Sequence, residues 1–123
     1  MRHEIPAVII APDSALRDAL QGNLRPPAFR IIASKATLTD VSRGQLPQSQ
    51  PYLIVIECGE RLGPHTAQIA ELKRQSPLAR IVILGRRWTS ADIARAFEAG
   101  ANAYFAEATV GKEFTQAMKL ITR

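Results

Sequence analysis

Five short apolar runs punctuate the sequence, and most are continuous rather than alternating: Ala7-Val8-Ile9-Ile10-Ala11, Phe29-Arg30-Ile31-Ile32-Ala33, Tyr52-Leu53-Ile54-Val55-Ile56, Arg80-Ile81-Val82-Ile83-Leu84 and Ala103-Tyr104-Phe105-Ala106. Runs of this length, rich in β-branched and aromatic residues, read as strands. A strand that is apolar at successive positions must be covered on both faces. That is the demand of a parallel sheet with helices on either side.

The intervening segments take helical spacing. Ser14 is placed to cap a helix whose Leu16, Leu20 and Leu24 share a stripe, and Pro26-Pro27 forbids its continuation. Leu38, Val41 and Leu46 suggest a short second helix within 38–46, limited by Gly44 and Pro47, with a loop over 47–51. Pro64 suits a first helical position, Ile69 and Leu72 face inward, and Ser76-Pro77 ends that third helix. Thr89 and Asp92 have capping-box spacing ahead of Ile93, Ala94, Ala96 and Phe97, with Gly100 as the left-handed residue beyond the end. Thr109 is the expected cap of a last helix carrying Val110, Phe114, Ala117, Met118 and Ile121 on one face. Five strands alternating with five helices predict an α/β, doubly wound parallel sheet, and among its variants strand order 2-1-3-4-5 is the expected one.

At 123 residues the chain has room for one domain, read as 1–123, with a core that needs no disulfide or structural metal. Cys58 is the only cysteine and closes no internal bridge. The apolar runs fall far short of the roughly 20 residues that span a bilayer, and Met1-Arg2-His3-Glu4 leads into no signal-peptide core, so a cytoplasmic protein is expected. Lys and Arg number 16 against 11 Asp and Glu, giving +5, but never do more than two basic residues adjoin. That spread reads as a solvated surface rather than a nucleic-acid footprint.

In a doubly wound sheet, chemistry gathers beyond the carboxyl ends of the strands, where the strand order reverses. At those ends stand Pro12-Asp13, Glu57-Cys58-Gly59, Gly85-Arg86-Arg87 and Ala106-Glu107. Asp13, Glu57 and Glu107 are thereby placed to converge as an acidic pocket, with at least one carboxyl pKa raised unless a cation such as Arg86 compensates. Asp13 has a second reading, as a cap at the positive end of the first helix.

The arrangement resembles the receiver domain of two-component response regulators, particularly those carried ahead of LuxR-type helix-turn-helix domains, over roughly residues 5–122. The most specific stretch is Ala79-Arg80-Ile81-Val82-Ile83-Leu84 followed by Ala96-Phe97-Glu98-Ala99-Gly100-Ala101-Asn102-Ala103-Tyr104. The resemblance implies a flavodoxin-like fold and a set of phosphorylation residues from which this chain largely departs. Where the family pairs two acids to hold Mg²⁺, it has Pro12-Asp13. Glu57 stands at the phosphoacceptor position, Gly85 at the hydroxyl position and Glu107 at the lysine position. A glutamate reaches one methylene further than an aspartate, and an attacking oxygen displaced by about 1 Å costs on the order of 10²-fold.

The expectation is a pseudo-receiver: a non-catalytic regulatory module, using no cofactor or metal and acting by dimerisation or domain contact. Its expected partners are a second copy, through the first and last helices or through the 89–100 helix and the 103–106 strand, and a histidine kinase or a C-terminal DNA-binding output domain beyond Arg123. The module itself is expected to touch neither nucleic acid nor membrane. Two alternatives stand beside it: a phosphoacceptor modified by a histidine kinase on Glu57 or Asp13, and a stand-alone interaction domain. Tyr104 matches the family's switch aromatic, left without a trigger by Gly85. Arg86-Arg87-Trp88 reads as an interface anchor, or as Trp88 packed on the following helix. His3 and His65 lack partners at ligand spacing and read as surface or packing residues. Cys58 reads as partly exposed, without a cation that guarantees a thiolate.

Overall fold

The computed structural model describes residues 4–123, without the side chain of Arg43. His3 therefore lies outside the described residues. Strands β1 (Ile5–Ile10), β2 (Phe29–Lys35), β3 (Tyr52–Gly59), β4 (Ala79–Gly85) and β5 (Ala103–Ala106) form one parallel sheet in the order β2-β1-β3-β4-β5. Helices α1 (Ser14–Asn23), α2 (Thr66–Gln75), α3 (Ser90–Ala99) and α4 (Lys112–Ile121) cover it. Among the described residues no helix is long and apolar enough to cross a membrane.

The continuous apolar runs feed two separate cores, which explains their lack of alternation. Ile54, Ile56, Ile81 and Ile83 meet Ile69 and Leu72 of α2 on one face. Leu53, Val55, Val82 and Leu84 meet Leu20, Phe114 and Met118 of α1 and α4 on the other. Each such fully buried aliphatic side chain stabilises the fold by about 1.5–3 kcal/mol.

The helical boundaries need three corrections. Asp13, not Ser14, caps α1: its Oδ1 accepts from Ala15 N at 2.9 Å and Leu16 N at 3.4 Å, the donors that a cap one residue earlier reaches. The second helix is absent, so the described residues hold four α-helices rather than five. Residues 38–46 instead form two 3₁₀ turns, Leu38–Asp40 and Arg43–Gln45. Local side-chain bonds compete with helix there, Thr37 Oγ1 donating to Asp40 Oδ2 at 2.9 Å and Ser42 N to Gln45 Oε1 at 2.9 Å. Leu38, Val41 and Leu46 still pack on the core. Thr109 does not cap α4, because its hydroxyl donates to Ala106 O at 2.6 Å within a 3₁₀ turn, and α4 begins only after Gly111.

The α3 boundaries follow the sequence. Thr89 Oγ1 accepts from Asp92 N at 3.1 Å, and Asp92 Oδ2 accepts from Thr89 N at 3.4 Å. Gly100 takes φ 124°, and a Cβ there would lie 2.9 Å from Lys73 Cβ, so both conformation and space call for glycine. Ala96 is buried, whereas Phe97 remains 46% exposed.

Candidate functional site

The pairing register brings the carboxyl ends of the strands level. Ile10 lies opposite Ile56, Glu57 opposite Leu84, and Gly85 opposite both Gly59 and Ala106. The register shifts between Glu57 and Gly59, an irregularity of the kind that bends a strand end.

The three acids meet at this edge but do different things. Glu57 is buried, and its Oε1 accepts the backbone N–H of Asp13 at 3.1 Å, tying the β3 end to the entry of α1. The Asp13 carboxylate is exposed and engaged in the α1 cap. Glu107 opens the 3₁₀ turn after β5, and its Oε2 is buried, accepts no hydrogen bond, and lies 3.4 Å from Arg86 Nε. Burial pushes the Glu107 carboxyl pKa above the ordinary range and the Glu57 charge adds to this, while Arg86 opposes both and Asp13 reinforces the rise. The expected compensation by Arg86 is therefore partial.

The loop after β4 closes the other side. Arg86 N donates to Gly59 O at 2.8 Å, and Trp88 Nε1 donates to the same carbonyl at 2.8 Å. The Trp88 ring lies directly over Gly85: a Cβ at residue 85 would fall 2.6 Å from Nε1 and 2.7 Å from Cδ2. Atoms that close cannot coexist, so the ring occupies the room that a side chain at 85 would need. Tyr104 stacks on Trp88, with ring centroids 5.0 Å apart and planes inclined by 23°. Its hydroxyl donates to Gly85 O at 3.5 Å, the long limit of a hydrogen bond.

Trp88 thus packs on Gly85, Gly59 and Tyr104, and the chain itself takes up its ring. Arg86 and Arg87 remain exposed. This inward role of Trp88 was not read from the sequence, although a glycine at a strand end three residues before a tryptophan is a sign of close approach. Arg87 between them takes φ 55°, a left-handed conformation costing roughly 1–2 kcal/mol, which the flanking contacts hold in place.

Cys58 is buried rather than partly exposed, because its β3 position turns it into the core beside Ile56 and Leu62. Burial, with Glu57 and Glu107 nearby, pushes its thiol pKa up to about 12, so it stays protonated and unreactive. His65 lies at the start of α2, where burial lowers its pKa and keeps it neutral.

The edge does not suit the Mg²⁺ that the fold family implies. Pro12 offers no carboxylate, Asp13 is committed to the α1 cap, and Arg86 holds a cation against Glu107. Among the described residues no three His, Cys, Asp or Glu side chains are grouped to hold a metal ion.

No family model matches the sequence, and no curated protein matches it. The fold has close counterparts among solved structures. An orphan response regulator of H. pylori is 17% identical, with a TM-score of 0.77 and 100% of both chains covered. A pilus assembly-related protein from Burkholderia pseudomallei is 14% identical, with a TM-score of 0.75, covering 99% of this chain and 92% of that one. An atypical orphan response regulator, described as having a phosphorylation-independent regulatory mechanism, is 15% identical, with a TM-score of 0.72 over 96% of this chain and 92% of that one. Receiver domains of LuxR-family and NarL regulators share the same architecture.

Proposed function

Taking the receiver-domain fold as the starting point, we propose that this chain is a non-catalytic signalling module that works without aspartyl phosphorylation. The observation that carries this reading is the Trp88 ring lying over Gly85. In phosphoryl transfer the protein's work is to position the nucleophile and to neutralise charge on the transferred group. Here the hydroxyl position is a glycine under an indole, the lysine position is a glutamate, and the cation beside it, Arg86, faces that glutamate. The loop after β4 is already drawn in, by two hydrogen bonds to Gly59 O and by the stack on Tyr104. The module keeps one loop position and signals by contact.

The contacts proposed are a second copy of the chain and an attached output domain, with any DNA binding performed by that domain. A closed two-fold pair is the commonest form of soluble homo-oligomer. Phe97 on α3 and Leu120 on α4, 46% and 63% exposed, are apolar residues available to such a contact.

Intact mass after incubation with acetyl phosphate and Mg²⁺ tests the first part. The mass is expected to stay unchanged, and a stoichiometric gain of one phosphoryl group on Glu57 or Asp13 would overturn the reading in favour of an unusual phosphoacceptor. Sedimentation across a concentration series tests the second: a dimer is expected, and a monomer at high micromolar concentration removes the pairing.

A further inference from the structure

The missing second helix leaves space along α2. A cavity of ≈ 210 Å³ lies between the β1 and β3 ends, residues 36–38 and the start of α2, with Glu57, His65 and Gln68 in its wall. A second, of ≈ 350 Å³, runs between the 38–46 segment and α2 and is lined by Leu38, Val41, Leu46 and Leu72 among others. Leu38 and Gln68 line both, so the two adjoin. The outer one alone falls within the range of about 300–1,000 Å³ typical of small-molecule sites, which are mainly apolar with a few convergent polar groups.

We propose that these adjoining cavities bind a small amphiphilic organic cation, its ammonium group at Glu57 and its apolar tail along Leu38, Val41, Leu46 and Leu72.

Charge selects this class of ligand. Among the described residues, the charged side chains lining the two walls are carboxylates, Glu57 in the inner cavity and Glu71 in the outer. Glu71 is neutralised by Arg74 and further held by Gln75. Glu57 is buried and, among the described residues, has no ion pair and one hydrogen bond, the Asp13 N–H on Oε1, while the loop cation Arg86 pairs with Glu107. An ammonium group bonded to its second oxygen supplies the counter-ion this carboxylate lacks. The other polar side chains of the inner wall strengthen the match. His65 is neutral, and neither it nor the Gln68 amide has a side-chain hydrogen-bond partner among the described residues. An anionic amphiphile would face Glu57 directly, and a neutral one would leave it uncompensated. The site stands independently of how the Trp88 loop is read, since Trp88 lines neither cavity.

The test is a titration of the ¹⁵N-labelled full chain with n-octylamine at pH 7, with 1-octanol and octanoate as matched neutral and anionic probes. Saturable shifts of the Leu38, Val41, Gln68 and Leu72 amides are expected with octylamine, about tenfold weaker binding with octanol, and none with octanoate. Glu57→Gln should reduce octylamine affinity about tenfold, to the level of octanol. Because that change also touches the Asp13 contact, Thr39→Trp provides a second variant: it fills the outer cavity from an exposed position, leaves Glu57 intact, and should abolish binding of both octylamine and octanol. Absence of saturable shifts, equal binding of octanoate, or indifference to both variants would overturn the proposal. So would concentration-dependent shifts of the same amides without any probe, which would assign the groove to a second copy of the chain.

Discussion

Glu107 shows at the scale of one residue how a degenerate site leaves a measurable trace. Its side chain is 15% exposed and its pKa is raised in the fold, chiefly by burial and then by Glu57. A raised folded pKa means that the native state binds the proton more tightly than the unfolded chain does. Stability is therefore higher at low pH and declines as pH climbs from the ordinary carboxylate value of about 4.3 through the raised value of Glu107. Glu107→Gln should remove this decline, matching the parent below the window and exceeding it at pH 7. Urea midpoints from pH 4 to 8 measure it. A variant less stable than the parent at pH 7 would mean that the Arg86 ion pair outweighs burial and repulsion.

At the scale of an element, the loop 86–89 is fixed from several sides. Gly59 O accepts two of its N–H groups, Tyr104 stacks on its indole, and the Thr89 and Asp92 capping box ties it to α3. Gly85→Ser would insert atoms where the indole lies, forcing it out and costing about 1–3 kcal/mol, the usual scale for overpacking. Trp88→Ala should itself destabilise, but it frees that room. The double variant should then be scarcely less stable than Trp88→Ala alone, giving a coupling of about 1 kcal/mol or more in a urea double-mutant cycle. Strict additivity would show that the ring does not sit over residue 85.

The whole molecule is a sheet with one core on each face, and its helices contribute unequally. Phe114 of α4 is fully buried, edge-on to Phe105 with centroids 5.5 Å apart, whereas Phe97 of α3 is 46% exposed. Phe114→Ala should cost about 3–5 kcal/mol, much of the 5–15 kcal/mol that a domain commands. Phe97→Ala should stay within about 1 kcal/mol. Chemical denaturation of the two variants compares them directly. Equal losses would mean that α3 is packed against a surface through Phe97, as in a dimer formed on that face.

How much of this was legible in the sequence depended on the range of the interaction. Ala7–Ala11, Tyr52–Ile56 and Arg80–Leu84 announce strands buried on both faces because burial follows from each run's own composition, and right-handed connections then narrow the topology to a doubly wound sheet, of whose variants the order 2-1-3-4-5 is the one adopted. Gly100 and the Thr89 and Asp92 box were equally readable, since a cap is satisfied within a few residues of chain. The Asp13 cap and the 3₁₀ turns at 38–46 were harder, because local side-chain bonds and helix propensity there differ by amounts too small to rank from sequence. The site belongs to the opposite limit. That Asp13, Glu57 and Glu107 stand at strand ends is a matter of sequence; that Glu57 holds the Asp13 N–H, Arg86 faces Glu107 and Trp88 covers Gly85 is not. Those contacts join residues from different strands and loops, and only the folded sheet, by setting the register of β1, β3, β4 and β5, brings them within reach.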